Sequence, residues 1–165
     1  MKKMAIGIMG PGLGARPQDL SCAFELGRLV AQNGWVLLTG GREMGVMEAA
    51  SKGAKSADGL TIGILPGDST IGCSDFVDVA IVTGMGSARN NINVLSSDVV
   101  IACGMGAGTV SEIALAIKAN KPVILVNATD SAIAFFQSLV PSNITIATNA
   151  QEAINQAKLL VNSLS

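Results

Sequence analysis

Short β-branched runs alternate with longer amphipathic segments along almost the whole chain, and this alternation limits the possible folds more than any other feature. The run at 99–103 is apolar at every position, as in a strand covered on both faces. The pattern predicts strands at 4–9, 35–38, 60–65, 79–82, 99–103, 122–126 and 144–147. It predicts helices at 18–33, 44–57, 88–96, 109–120, 131–139 and 151–164, with Gly34 capping the first. These elements indicate a single Rossmann-like α/β domain over residues 1–165, with a parallel sheet of about seven strands and helices on both faces.

The charge content excludes several classes of function. Charged residues make up only 14% of the sequence, against about 25% in a typical domain, and this favours an oligomer that hides apolar surface. The formal net charge is −1, so neither nucleic acid nor an anionic membrane is an expected partner. Histidine is absent, which removes Ser-His-Asp and Cys-His catalysis and most zinc sites.

The three cysteines, Cys22, Cys73 and Cys103, are far apart and odd in number. We therefore expect thiols in a reducing compartment rather than a disulfide framework, and we predict no metal site. The start of the chain imitates a signal peptide, but Pro11 and Gly12 interrupt its apolar stretch. No apolar run reaches the roughly 18 residues of a bilayer span. These features predict a soluble, cytoplasmic protein.

Glycine-rich loops follow the first, second, fourth and fifth predicted strands. In a parallel sheet these loops share the carboxyl edge, where ligands bind, and each leads into a helix N-terminus that favours anions. The loops predict a site for a small anionic, phosphorylated molecule; the alternative is that the glycines only form tight turns. The loop at 10–14 matches a dinucleotide fingerprint only loosely, and no Walker lysine is present.

Two of these loops, in the segments 40–47 and 104–112, resemble signatures of the LOG, or lysine-decarboxylase-like, superfamily. The segment 104–112 is similar to its P-G-G-x-G-T-x-x-E motif, with matches at Gly106, Gly108, Thr109 and Glu112 and departures at 104 and 105. Arg89 matches the arginine of its Arg-Lys pair, whereas an asparagine follows. This resemblance implies an alternative function, a nucleoside 5′-monophosphate phosphoribohydrolase with Arg89 and Glu112 as catalytic residues.

A closer resemblance, over nearly the whole chain, is to the molybdenum cofactor carrier proteins of algae and cyanobacteria. The segments 7–12, 39–42, 83–91 and 104–109 carry it. It implies a homotetramer of Rossmann-like subunits that binds, protects and carries the molybdenum cofactor (molybdopterin) without chemical turnover. Molybdoenzymes are the implied recipients, and phosphate or molybdate would bind at the same site.

The loops and the resemblance together predict these cofactor-binding residues: Gly10, Pro11, Gly12, Gly40, Gly41, Arg42, Gly45, Ser87, Arg89, Asn90, Gly104, Gly106, Ala107, Gly108, Thr109 and Glu112. The two arginines would pair with phosphate or an oxyanion through their planar donor forks, or would be solvated surface side chains. The hydroxyls of Ser87 and Thr109 would complete an anion nest.

Two interpretations stay open at this stage. Glu112 would act as a base or would hold the Arg89 side chain in position. Alternatively, it would form a capping box with Thr109, since T-x-x-E is the capping pattern. The methionines near the loops would line a pterin slot or only fill the core: Met44, Met47, Met85 and Met105.

Overall fold

A computed structural model describes residues 3–140 and 144–164, which form seven strands and six α-helices. The strands are β1 (Ala5–Met9), β2 (Val36–Thr39), β3 (Leu60–Leu65), β4 (Val79–Val82), β5 (Val99–Cys103), β6 (Val123–Val126) and β7 (Ile144–Ala147). The helices are α1 (Pro17–Gln32), α2 (Gly45–Lys55), α3 (Asn90–Ser96), α4 (Ala107–Lys118), α5 (Asp130–Leu139) and α6 (Ala150–Leu164). A 3-10 turn, Gly86–Arg89, leads into α3.

All strand pairs of the sheet are parallel, in the order β4-β3-β2-β1-β5-β6-β7. The chain therefore winds outward from β1 to β4, then crosses back to β5 beside β1 and winds outward on the other side. The loops that leave β1 and β5 run in opposite directions and open a crevice between them, as is usual at such a switch point.

The sheet is covered on both faces, and β5 shows this most clearly. Val99, Ile101 and Cys103 pack into one hydrophobic cluster with α1, α2 and α6. Val100 and Ala102 pack into a second cluster with residues of α3, α4 and α5. Every residue of β5 is fully buried, which explains its unbroken apolar run. The predicted α/β fold is confirmed.

Helices α1 and α2 approach unusually closely through two glycines. A Cβ at Gly27 of α1 would overlap the carbonyl oxygen of Ala50 in α2. A Cβ at Gly53 of α2 would overlap the carbonyl oxygen of Phe24 in α1. The backbones thus pack against each other, and this contact sets the position of the loop that precedes α2.

The predicted boundaries agree with the structure to within two residues, except that one segment differs in kind and the start of another helix matters for the site. The helix predicted at 88–96 starts as the 3-10 turn, and only α3 is α-helical. The helix predicted from residue 109 begins at Ala107, with Gly106 in extended conformation before it. Gly34 has a φ of +70° just after Asn33, the C-cap of α1, as expected for a glycine that ends a helix.

The described residues contain three unpaired cysteines, of which Cys103 is fully buried. A hydrogen bond with the Cys22 thiol, together with burial, raises the pKa of the Cys103 thiol. Over 3–140 and 144–164, none of the helices has both the length and the apolar character needed to cross a bilayer.

Candidate functional site

A cavity of about 210 Å³ opens at the carboxyl edge of the sheet, between the loops that follow β1 and β5. It is lined by Ile8, Met9, Gly10, Pro11, Gly12, Leu13, Gly40, Met47, Arg89, Asn90, Gly106, Ala107, Gly108, Thr109 and Glu112. The switch point of the sheet thus brings together residues that lie up to about a hundred positions apart in the sequence, as this fold predicts.

The loop after β1 forms one wall, and its glycines allow its close contacts. A Cβ at Gly10 would lie 2.5 Å from the Cys103 carbonyl oxygen. Gly45, at a φ of +56°, packs against the carbonyl oxygens of Pro11 and Gly12, where a side chain would not fit. The Val46 amide donates to the Pro11 carbonyl over 3.0 Å. The start of α2 therefore holds this loop in place from beneath.

The opposite wall is the N-terminus of α4. Gly106 precedes the helix with a φ of −154° and provides no side-chain cap. The first backbone N–H groups of a helix have no partner within it. Because no side chain caps them here, the N–H groups of Ala107, Gly108 and Thr109 remain available at the cavity, beside the positive end of the helix dipole. Such an end is well suited to binding an anion.

Arg89 lies at the end of the 3-10 turn, and its guanidinium enters the cavity from the side of α3. The residue is only 9% exposed, yet its contacts are poor. Nη1 reaches the Asn90 Oδ1 and Nη2 the Gly40 carbonyl oxygen, both over 3.4 Å, and Nε has no partner. No ion pair among the described residues involves Arg89.

The electrostatics of Arg89 reflect this isolation. Burial lowers the pKa of its guanidinium from the ordinary value, and the more distant negative charge of Glu112 opposes that shift. Arginine nevertheless remains protonated in proteins. A buried charge without a counter-ion is costly, and none of the ion pairs of the described residues offsets this cost.

Thr109 contributes a second unsatisfied group. It is 2% exposed, lines the cavity, and its Oγ1 has no hydrogen-bond partner. It occupies the third position of α4, so it cannot serve as the N-cap. The capping-box interpretation of Thr109 and Glu112 is therefore wrong, because the helix starts two residues earlier than predicted and Gly106 takes the cap position.

Glu112 lies one turn further along α4 and is 7% exposed. Its Oε1 accepts a hydrogen bond of 2.8 Å from Asn93 Nδ2 of α3. Burial raises the pKa of Glu112 to about 7, although the Asn93 hydrogen bond and the Arg89 charge both act to lower it. The cavity wall thus holds a carboxyl group that titrates near neutral pH.

Asn90 stands where the resemblance to the hydrolases would place a lysine, and the structure gives it a positioning contact. Its Nδ2 donates to the Ser111 Oγ over 2.8 Å, and that hydroxyl donates to the Gly108 carbonyl oxygen over 2.7 Å. Asn90 therefore ties the start of α3 to the first turn of α4, and it adds no charge to the cavity.

The buried carboxylate of Asp19, in α1, packs against the loop after β5. Asp19 is paired with Arg16 over 2.9 Å and accepts from Asn127 Nδ2 over 3.2 Å. Burial raises the pKa of Asp19, but the hydrogen bonds from Arg16 outweigh it and hold the pKa below its usual value. Gly104, at a φ of +76°, lies directly against this carboxylate, which leaves no space for a side chain.

Eleven of the sixteen predicted site residues line the cavity, and the other five lie outside its lining. Three of these five are glycines that shape the surrounding backbone: Gly41, Gly45 and Gly104. Arg42 is exposed and forms an isolated bridge with Cys73, and Ser87 is exposed on the 3-10 turn. Their predicted contacts with a ligand stay predictions.

Sequence reasoning missed several cavity residues. Ile8, Met9 and Leu13 belong to the first loop and its strand, and Leu13 is exposed beside the opening. Among the four methionines considered, only Met47 lines the cavity. Asn93, the partner of Glu112, was also missed. Its position four residues after Arg89 in the predicted helix at 88–96 was the available signal.

This geometry defines the protein as a Rossmann-like domain with a cavity at the switch point of its parallel sheet. The chain belongs to the SLOG cluster4 family, whose sequence pattern matches residues 3–154. The molybdenum cofactor binding protein from the phototrophic bacterium Rippkaea orientalis is 57% identical, with a TM-score of 0.95 over 98% of this chain and 99% of that one.

Two further relatives are similar to the chain over most of its length. The molybdenum cofactor carrier protein from Chlamydomonas reinhardtii is 51% identical, with a TM-score of 0.94 over 98% of this chain and 99% of that chain. A protein from Archaeoglobus fulgidus is 49% identical over 123 residues, which are 74% of this chain and 80% of the relative. The resemblance predicted from the glycine motifs is therefore confirmed.

Proposed function

We propose that this protein binds, protects and carries the molybdenum cofactor without chemical turnover, and that the anionic end of the cofactor lies between Arg89 and the N-terminus of α4. The observation that carries the proposal is the buried Arg89 guanidinium, which has no counter-ion among the described residues. The full-length similarity to proteins that bind or carry this cofactor supports the choice of ligand.

The chemistry of the cavity fits such a ligand. Arg89 Nε and Thr109 Oγ1 are buried donors without partners, suited to phosphate or molybdate oxygens. Leu13 and Met47 add apolar surface for a flat ring. A Cβ at Gly12 would lie 2.9 Å from the Met44 sulfur, so a side chain there would require the Met44 side chain to shift. Inorganic phosphate or molybdate would use the anionic end alone.

The hydrolase alternative has less support. The catalytic pair that the superfamily resemblance implies would need a lysine after Arg89, and Asn90 instead holds Ser111. The Rippkaea orientalis and Chlamydomonas reinhardtii proteins bind or carry the molybdenum cofactor. We therefore expect no release of adenine from AMP.

The test is cofactor retention after expression in a host that makes the cofactor. Wild type should copurify with molybdenum and pterin, whereas Arg89→Ala should bind about 10- to 150-fold more weakly, because it loses a charge-assisted contact of about 1.5–3 kcal/mol. Arg28→Ala, which breaks a surface ion pair with Glu25, is the matched control and should retain the cofactor. Adenine release from AMP that depends on Glu112 would contradict the proposal, as would wild type without cofactor.

We also propose a homotetramer in a reducing, cytoplasmic compartment that hands its cofactor to molybdoenzymes. Val79, Ile81 and Val82 of the edge strand β4 are exposed aliphatic residues, an unusual surface for an unpaired edge. The three unpaired thiols fit a reducing compartment. Light scattering should give the mass of four subunits, and a monomer at micromolar concentration would contradict the tetramer.

A further inference from the structure

A carboxyl group in the wall of an anion site is unexpected, and Glu112 is such a group. It follows Thr109 by three residues, so both side chains lie on the face of α4 that borders the cavity. An ionised Glu112 would repel the anion that Arg89 and Thr109 attract. The charge on Glu112 therefore bears directly on what the cavity accepts.

The surroundings of Glu112 do not compensate that charge well. Asn90 and Asn93, from α3, are uncharged, and Asn93 gives the carboxyl group a single hydrogen bond. The cavity residues contributed by β1, Ile8 and Met9, are apolar. Among the described residues the charged group that acts on Glu112 is Arg89, and it is too far away to form an ion pair.

The ionised and the protonated forms of Glu112 are therefore close in free energy near neutral pH. Burial raises its pKa to about 7, so a modest change in its surroundings near neutral pH is enough to add or remove the proton. An anion placed beside Arg89 supplies such a change, since it neutralises the guanidinium that helps to keep Glu112 ionised.

We propose that Glu112 takes up one proton from solvent when a fully ionised oxyanion enters the cavity, so that this residue determines the pH range over which the site holds such an anion. The inference rests on the proposed placement of the anionic end of the cofactor beside Arg89. The carboxylate gains the proton and no other bond changes. The neutral carboxyl group no longer repels the anion, and its O–H becomes an additional donor.

Sulfate is the appropriate probe, because it stays a dianion between pH 6 and pH 8.5, so that any proton taken up is bound by the protein. Phosphate monoesters are less suitable, since their own second pKa lies near 6. By linkage, the sulfate affinity of wild type should fall with rising pH above the pKa of Glu112, approaching about tenfold per pH unit. Glu112→Gln should remove this dependence while its amide oxygen still accepts from Asn93.

Titration calorimetry at pH 8 in two buffers of different protonation enthalpy measures the uptake directly. Wild type should take up close to one proton per sulfate bound, and Glu112→Gln none. Glu25→Gln removes the same charge from the surface of α1 and should behave like wild type. The pH profile of wild type tests the linkage independently if the Glu112→Gln variant does not fold.

The outcomes separate this inference from the proposed function. Equal proton uptake by wild type and Glu112→Gln, or a flat wild-type affinity from pH 6 to 8.5, would overturn the role of Glu112. Absence of sulfate binding at pH 6 would also overturn it. Proton-linked sulfate binding by a protein that does not retain the molybdenum cofactor would leave this inference standing and refute the proposed cargo.

Discussion

Replacing Thr109 by Val should stabilise the ligand-free protein and should weaken its affinity for the ligand. Valine has nearly the shape of threonine, so the substitution removes the Oγ1 with little change in packing. That oxygen is buried and lacks a hydrogen-bond partner, and an unsatisfied buried polar group costs about 1–3 kcal/mol. The free energy of unfolding of the ligand-free protein should therefore rise by about 1–3 kcal/mol.

The affinity for the anion should fall in the same variant. If Thr109 donates to an oxyanion, its loss should cost about 1.5–3 kcal/mol, or roughly 10- to 150-fold in Kd. Chemical denaturation of the ligand-free protein and calorimetry with sulfate at pH 6 measure the two effects separately. Protein concentration must be held constant, because subunit association contributes to the apparent stability.

Thr61→Val is the matched control. Thr61 is equally buried, but its Oγ1 donates to the Phe76 carbonyl oxygen over 2.7 Å and accepts from the Asp78 amide over 2.8 Å. Removing this satisfied hydroxyl should destabilise the protein by about 1–3 kcal/mol and leave sulfate binding intact. If Thr109→Val were destabilised as much as Thr61→Val, or bound sulfate like wild type, the assignment of Thr109 to the ligand would be refuted.

Three further predictions concern a cavity glycine, the contact between α1 and α2, and the stability of the fold with pH. Gly108→Val should change the free energy of unfolding by less than about 1 kcal/mol, because a Cβ there meets no atom within 4 Å. The same substitution should abolish sulfate binding in calorimetry. Unchanged binding would contradict the proposed anion position at the N-terminus of α4. Gly27→Ala should lower the free energy of unfolding by about 3 kcal/mol or more, because its Cβ would overlap a backbone oxygen of α2. Denaturant unfolding that matches wild type would contradict the close packing of α1 and α2. Glu112→Gln should gain about 2.5 kcal/mol relative to wild type as the pH rises from 5 to 8. Folded wild type holds a proton up to a pKa of about 7 that the unfolded chain releases near 4.5, so its stability falls as pH rises through this window. Parallel pH profiles of the two proteins would contradict the raised pKa.

Strands were predicted better than helix ends, for a physical reason. The bounds of β3, β4, β5 and β7 match the prediction, because each strand is a short, mainly apolar and β-branched run flanked by polar, glycine or proline residues. The start of α4 was missed by two residues. Gly106 caps it through backbone conformation alone, and T-x-x-E further on imitates a capping box.

Arg42 and Arg89 show the limit of sequence reasoning at the site. Both lie beside glycine loops, and their local sequences give no reason to choose between them. The structure leaves Arg42 exposed and buries Arg89 in the cavity. Burial is decided by the packing of the 3-10 turn against the loop after β2, which is a contact between segments about fifty residues apart.

The sequence by itself determined the parallel sheet and the edge at which the cavity lies, and it predicted an anionic ligand, because apolar periodicity and glycine loops act locally. Only the tertiary structure decided that, within 3–140 and 144–164, Arg89 has no counter-ion and the Thr109 hydroxyl no partner, and that Glu112 receives its hydrogen bond from Asn93. These properties depend on burial and on contacts between α3 and α4. The free energy of a charge or hydroxyl is set by the groups that surround it in space, and sequence neighbours supply few of them.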